Sequence, residues 1–417
     1  MHFKNKPHNI LFLIGFIYYL IIPLVVGNFE LMSDMPAMNN WHQAFYLSNH
    51  NSLIYIFIIL AFFISFYTGS ILIDVLPRRP KLSNHPNKKF VKINLSIYGL
   101  LFLLTTIYIS ISYREVLFSG YEAYDISILG MLGTINSVGV ILLLFIILNS
   151  KKYNFQIGLF YTFIIYSSII LIGLGSRMYV LIPIVAVFVY KFFYSKNRWT
   201  VKKVFTLTFL VASLLLIIGA WRIGGIIDLE FMMYLLLAEP TFTWWSTATF
   251  LGNNDLFAID FPSNFLSSFF NFLPSFIHAD KSSWIHSIHE KYFYEAPLGA
   301  DSLFVNIQGN FGWYFGCVYM FLLGLFYSFI ERLSKKSNFY MAYYIGIVAV
   351  LPFQLFRDGF GIVNKQLFWN MLLVPSIIIF SSIYIKKFLT RDNINRLNND
   401  VEFDLNTLIA HPKKNKV

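Results

Sequence analysis

Residues 155–193 read Phe155-Gln-Ile-Gly-Leu-Phe-Tyr-Thr-Phe-Ile-Ile-Tyr-Ser-Ser-Ile-Ile-Leu-Ile-Gly173-Leu-Gly175-Ser-Arg177-Met-Tyr-Val-Leu-Ile-Pro-Ile-Val-Ala-Val-Phe-Val-Tyr-Lys191-Phe-Phe193. The run is apolar almost throughout, and its length decides how the chain is organised. As one helix rising about 1.5 Å per residue it would be about 58 Å long, close to twice the hydrocarbon thickness of a bilayer. Gly173-Leu174-Gly175-Ser176-Arg177 lies at its centre, where two glycines beside a charge favour a tight turn. The run therefore predicts two membrane-crossing helices, 156–174 and 178–190, joined by a hairpin.

Outward from this hairpin, eight further apolar stretches lie at 9–27, 52–73, 93–113, 127–149, 204–221, 309–330, 338–356 and 367–385. Of the 417 residues 57% are hydrophobic and 13% charged, against about 45–50% and about 25% in soluble domains. The expected fold is an all-α polytopic integral membrane protein with about ten transmembrane helices. The first stretch has no small-residue cleavage site after it and reads as a retained helix rather than a signal peptide. The single Cys317 excludes a disulfide framework and a thiolate zinc site.

The formal net charge of +11 has a topological cause. With the N-terminus in the cytoplasm, 25 of the 32 Lys and Arg residues fall inside and 15 of the 21 acidic residues outside, as the positive-inside rule requires. Fusing the two halves of 155–193 would instead place Lys191, Lys196, Arg198, Lys202 and Lys203 outside. Nucleic acid is not needed to explain the basic excess, and both termini are expected in the cytoplasm. The plan is a membrane domain over 1–221 with seven helices and a large periplasmic loop over 222–308. Three more membrane helices follow over 309–385, then a polar cytoplasmic tail over 386–417.

None of the ten stretches contains Asp, Glu, Lys, Arg or His. Coupled transporters and pumps carry such groups at mid-membrane depth, so chemistry is expected at an interface. Outside, Arg114, Arg177, Arg222 and Arg357 each sit at the end of a helix. Either they anchor to lipid phosphates and loop carboxylates, or several converge on a phosphate, which the guanidinium fork binds bidentately. Glu239, in Ala-Glu239-Pro-Thr-Phe-Thr-Trp244-Trp245, and Asp301, in Gly-Ala-Asp301-Ser-Leu-Phe, border apolar segments. Partial burial could raise either toward the range of a general base; the alternative is a helix-end or capping role. His286 and His289 precede Glu290 without a third ligand at a recognisable spacing, so no metal site and no cofactor are expected.

The outer segment is itself aromatic. Phe265, Phe269, Phe272 and Leu273 share one helical face, 226–238 forms a short apolar helix, and Trp244 and Trp245 suit the interfacial belt. It either folds back on the bundle or forms a platform for a lipid-linked sugar. Nucleophile elbow, Walker loop and dinucleotide fingerprint are all missing from the sequence.

Three stretches carry a family resemblance: Gly173-Leu-Gly-Ser-Arg177-Met-Tyr, Asp301-Ser-Leu-Phe-Val-Asn-Ile-Gln-Gly-Asn-Phe-Gly-Trp-Tyr-Phe-Gly316, and Leu355-Phe-Arg357-Asp-Gly-Phe-Gly361. With the ten-span plan and the late outer loop, the chain resembles the Wzy-type O-antigen polymerase family of bacterial inner-membrane proteins. An Arg-x10-Gly pattern of some members is absent, since Phe188 and Met233 stand at the corresponding places. The resemblance implies a GT-C-like architecture and substrates that are oligosaccharides on undecaprenyl pyrophosphate at the periplasmic face. The reaction is transfer of the growing chain to the next unit with release of the lipid pyrophosphate. Glu239 or Asp301 would deprotonate the acceptor, while Arg177, Arg222, Arg357 and Arg114 would bind the pyrophosphate. Membrane lipids and a chain-length regulator protein would be further partners. An O-antigen ligase or exopolysaccharide polymerase would share this layout. A lipid-linked oligosaccharide flippase, expected to show charge inside the bundle, and a membrane scaffold are the readings from other classes.

Overall fold

A computed structural model describes residues 6–48, 51–75, 94–118, 126–150, 154–223, 228–257, 261–272 and 279–385. All regular structure among the described residues is helical. Seven helices are long and apolar enough to cross a membrane: Pro7–Asn28, Ser52–Val75, Ile128–Asn149, Phe155–Gly173, Val201–Trp221, Leu303–Ser334 and Phe360–Ile385. The chain is therefore a multi-pass α-helical membrane protein. The expected tail, 386–417, and the Arg222 side chain lie outside the described residues.

The expected hairpin is present, and its cause is local. The Phe155–Gly173 helix closes with the Ser176 N–H donating to the Leu171 carbonyl at 2.8 Å and the Gly175 N–H to that of Ile172 at 3.0 Å. Gly175 takes φ +97°, the left-handed conformation this helix stop requires. A second apolar helix, Met178–Tyr194, starts directly after it.

The count of ten spans needs correction. Met178–Tyr194 and Ser96–Ser112 are apolar helices of fewer than 18 residues. The stretch 338–356 is not one helix: Asn338–Val348 ends after 11 residues, 349–353 turns, and Gln354–Arg357 is a separate short helix. Pro352 has no N–H to continue the helical ladder, and its carbonyl lies 2.8 Å from where a Cβ on Gly15 would be. The turn is thus fitted against the first span.

Close helix contact organises the core. A Cβ on Gly69 would lie 2.0 Å from the Phe321 carbonyl oxygen, and one on Gly324 would lie 2.0 Å from that of Phe66. Ser52–Val75 and Leu303–Ser334 therefore cross backbone to backbone, which only glycine at both positions permits. At one end of this pair is a buried polar knot. Lys6 Nζ meets Asp74 at 2.8 Å. His8 Nδ1 lies 2.7 Å from the Tyr344 hydroxyl, and its Nε2 lies 3.1 Å from the Ser70 and Ser328 hydroxyls.

The 222–308 segment shares the core. Asp228 caps a helix, Leu229–Asn253, with its side chain accepting from the Phe231 N–H at 2.7 Å. The helix runs well past the expected 226–238, and its inner face buries Tyr234, Trp244 and Phe250. Trp244 is therefore not an interfacial belt residue: it is 1% exposed and donates to the Tyr55 hydroxyl at 3.2 Å. Phe265 likewise packs inward against Phe311, Tyr319 and Phe360.

Two backbone irregularities face this region. The first span forms a π turn over Ile17–Ile21, just before Pro23, which lacks the N–H that would serve the Tyr19 carbonyl. The Tyr55 hydroxyl takes up the neighbouring Leu20 carbonyl at 3.2 Å. Within Leu303–Ser334, Gly312 leaves the helical conformation altogether, at φ +60° and ψ −176°.

Candidate functional site

Charged residues from two distant segments meet beside the first span. The Gln354–Arg357 turn of helix sets Phe356 against Phe12 and Tyr19, with ring centroids 5.3 and 6.2 Å away. Arg357, next in sequence, ends this short helix and is thereby held beside the first span. Its Nε donates to Glu239 Oε1 at 2.5 Å and its Nη1 to Asp358 Oδ1 at 2.9 Å. Asp358 is 5% exposed, whereas the Arg357 and Glu239 side chains keep 22% and 28%. The cluster is recessed yet reachable.

Electrostatics separates the two carboxylates. Burial pushes Glu239 up, but Arg357 and Arg177 outweigh it and hold this carboxyl below the usual range. Asp358 is more deeply buried, and desolvation leaves it above the usual range despite the same guanidinium. Arg177, delivered by the hairpin, is close enough to act on Glu239, and a Cβ on Gly219 would approach its Nη1 to 3.2 Å. Arg177 and Arg357 therefore converge on Glu239 from different parts of the chain.

Asp301 adjoins this cluster. It precedes Ser302, which caps Leu303–Ser334 through the Val305 N–H at 3.1 Å. Asp301 Oδ1 accepts from the Tyr294 hydroxyl at 3.0 Å, and Oδ2 lies 2.6 Å from where a Cβ on Gly359 would be. Burial raises its pKa above the ordinary value, with Tyr294, His289 and Arg357 opposing and Asp358 assisting. Of the two carboxyls expected from the sequence, Glu239 is bonded to a cation, whereas Asp301 is bonded to a phenol and raised by burial.

The remaining sequence candidates divide plainly. Arg114 is 77% exposed, 4.0 Å from Glu115, and has no place in the cluster. Arg222 ends the Val201–Ile223 helix. His286 pairs with Glu290 at 3.1 Å, and His289 stacks on the Tyr294 ring at 4.0 Å. Among the described residues no group of three or more His, Cys, Asp or Glu is placed to hold a metal. Asp358 and Gly359 lie in the 355–361 stretch quoted for the resemblance but were given no role by sequence, and Tyr294, seven residues before Asp301, carried no signal of its own.

An apolar groove of about 570 Å³ lies between Leu303–Ser334 and Phe360–Ile385. Phe261, Pro262 and Phe265 line it together with Phe311, Tyr319 and Phe326. Phe360, two residues beyond Asp358, packs on Phe265, Phe311 and Tyr319, which line the groove.

No protein-family model, curated protein or solved structure matches this chain.

Proposed function

We propose that the protein is a glycosyltransferase of the O-antigen polymerase kind. It would join undecaprenyl-pyrophosphate-linked oligosaccharide units at the periplasmic face of the bacterial inner membrane, with both termini cytoplasmic and a GT-C-like arrangement of helices around the site. The observation that carries this reading is the occurrence of three parts: a buried carboxyl held by a phenol, a two-arginine cluster, and an apolar groove whose lining rings pack on Phe360, two residues after Asp358. Such a reaction needs a base for the acceptor hydroxyl, cations for the departing pyrophosphate and a channel for a long hydrocarbon.

Asp301 is the base in this scheme. Glu239 and Asp358 hold Arg357 in place before substrate arrives. Two arginines and two carboxylates nearly cancel, so an incoming pyrophosphate must displace a carboxylate from Arg357 to be held by it. Asp358, whose burial already favours its protonated form, is the partner more readily displaced. The groove takes the isoprenoid chain, and a chain-length regulator would act from outside the site.

A second reading is favoured by the burial of the cluster. Ionised groups buried among apolar helices are what a carrier of charged substrates requires, so a lipid-linked oligosaccharide flippase is the competing function. A deletion strain separates the two. One capped unit on lipid A without a ladder means polymerase, and no attached unit means flippase or ligase. Complementation with Asp301→Asn is expected to leave the single capped unit; a full ladder from this variant removes Asp301 as the base.

A further inference from the structure

Gly359 is a glycine for space rather than for backbone freedom. Its φ of −65° and ψ of 161° describe an extended conformation open to any residue. An added Cβ would lie 2.6 Å from Asp301 Oδ2 and 3.7 Å from Asn306 Oδ1. The missing side chain is therefore the room in which this carboxylate oxygen stands.

The other oxygen is fixed from the opposite side. Tyr294, 5% exposed, donates to Oδ1 at 3.0 Å, and its ring lies between His289 at 4.0 Å and Phe250 at 6.2 Å. The strip that carries it is tied to the end of Leu229–Asn253. Asn254 Nδ2 donates to the Phe293 carbonyl at 2.7 Å and its Oδ1 accepts from the Phe293 N–H at 3.1 Å. The Glu295 N–H reaches Thr249 Oγ1 at 2.9 Å, and Trp245 Nε1 reaches Glu295 Oε2 at 3.0 Å. Four bonds clamp a short extended strip whose inward reach is one phenol on one carboxylate oxygen.

We propose that Tyr294 is a positioning residue: it holds Asp301 by Oδ1 so that Oδ2, given room by Gly359, is the atom that takes the acceptor proton. This rests on the polymerase reading. In the step, Oδ2 accepts the hydroxyl proton and the acceptor oxygen bonds to the anomeric carbon. The anomeric carbon's bond to pyrophosphate breaks, and that electron pair leaves with the lipid pyrophosphate.

The groups facing the Asp301 carboxyl are Tyr294 and His289 from the loop and Arg357 and Asp358 from the segment before the last span. A donor to a carboxylate favours its charged form, so loss of the phenol hydroxyl raises the pH at which Asp301 takes a proton. One charge-assisted bond corresponds to a shift of about one to two pH units.

The test is modification of the full-length protein in lipid nanodiscs by dicyclohexylcarbodiimide, which attacks protonated carboxyls in apolar surroundings. The labelled Asp301 peptide is followed by mass spectrometry across pH. In Tyr294→Phe the labelling midpoint is expected to rise by about one to two units. In cells, Gly359→Ala is expected to lose the ladder at normal protein level. Gly361→Ala, whose Cβ would meet only Asn271 Nδ2 at 3.6 Å, keeps it. An unmoved midpoint in Tyr294→Phe, or a wild-type ladder from Gly359→Ala, overturns the proposal. The labelling needs no sugar substrate, so the expected midpoint shift in Tyr294→Phe together with an unaltered ladder in the deletion strain would point to failure of the polymerase reading.

Discussion

Arg357→Ala removes a guanidinium that bonds both Glu239, at 2.5 Å, and Asp358, at 2.9 Å. Breaking a buried pair by deleting one partner costs about 3–5 kcal/mol. Arg357 and Glu239 are roughly a quarter exposed, and Asp358 only 5%. Water at Glu239 relieves part of the penalty, which places the expected loss at about 2–4 kcal/mol. Arg357→Lys offers one ammonium where the fork serves two acceptors, and recovers only part of this. The assay is thermal unfolding of purified protein followed by tryptophan fluorescence, run between pH 7.5 and pH 5. In the intact protein Glu239 has a lowered pKa, so its contribution is present above the ordinary carboxylate range and lost as pH falls through the lowered value. Without Arg357, burial raises both carboxyls, so the variant binds protons on folding and gains stability as pH falls. The gap in Tm between the two proteins should therefore narrow on acidification. A gap that is absent, or equal at both ends of the pH range, refutes the assignment of Arg357 as the shared counter-ion.

Two further outcomes follow from the packing and the hairpin. Gly69→Ala and Gly324→Ala each drive a Cβ to 2.0 Å from a carbonyl oxygen of the facing helix, and overpacking of this kind costs about 1–3 kcal/mol. Gly252→Ala, with nothing within 4 Å of its Cβ, is expected to keep its Tm. On a Cys317-free background, Ser176→Cys is expected to react with an impermeant thiol reagent added to spheroplasts and Ser195→Cys is not; reaction at 195 would reverse the orientation of every later segment.

The parts of the fold legible in the sequence were those written locally. The 173–177 turn carried its own stop signal in Gly175, and the seven long helices announced themselves by length. The break in 338–356 did not, because a chain that turns within the protein interior is as apolar as one that runs straight through. Leu229–Asn253 looked like a loop segment because Glu230, Glu239 and Pro240 dilute its hydropathy; its burial comes from partners such as Trp41 and Tyr55, far away in sequence. The same reason governs the site. Glu239 and Asp301 could be chosen as acids beside apolar segments. That Arg357 bonds Glu239 across 118 positions, while Arg114 pairs with its neighbour Glu115, is a fact of packing with no local trace.

The break at Gly312 divides Leu303–Ser334 mechanically. Leu303 through Asn310 are all buried, and this upper piece begins beside Asp301. The lower piece is clamped to Ser52–Val75 by the glycine crossing. An unbroken helix is a stiff rod and would carry any tilt of its lower end straight to its upper one. A single extended residue works as a universal joint: rotation about its two dihedrals lets the lower rod lean while the upper stays seated. A bilayer a few ångströms thicker or thinner is accommodated mainly by helix tilt, and a lean taken up at Gly312 would stop short of Asp301. The conformation at 312 is open essentially to glycine alone, and a side chain there would cost about 1–3 kcal/mol. Replacing it would not only strain the backbone but also tie the alignment of the site to the thickness of the surrounding lipid.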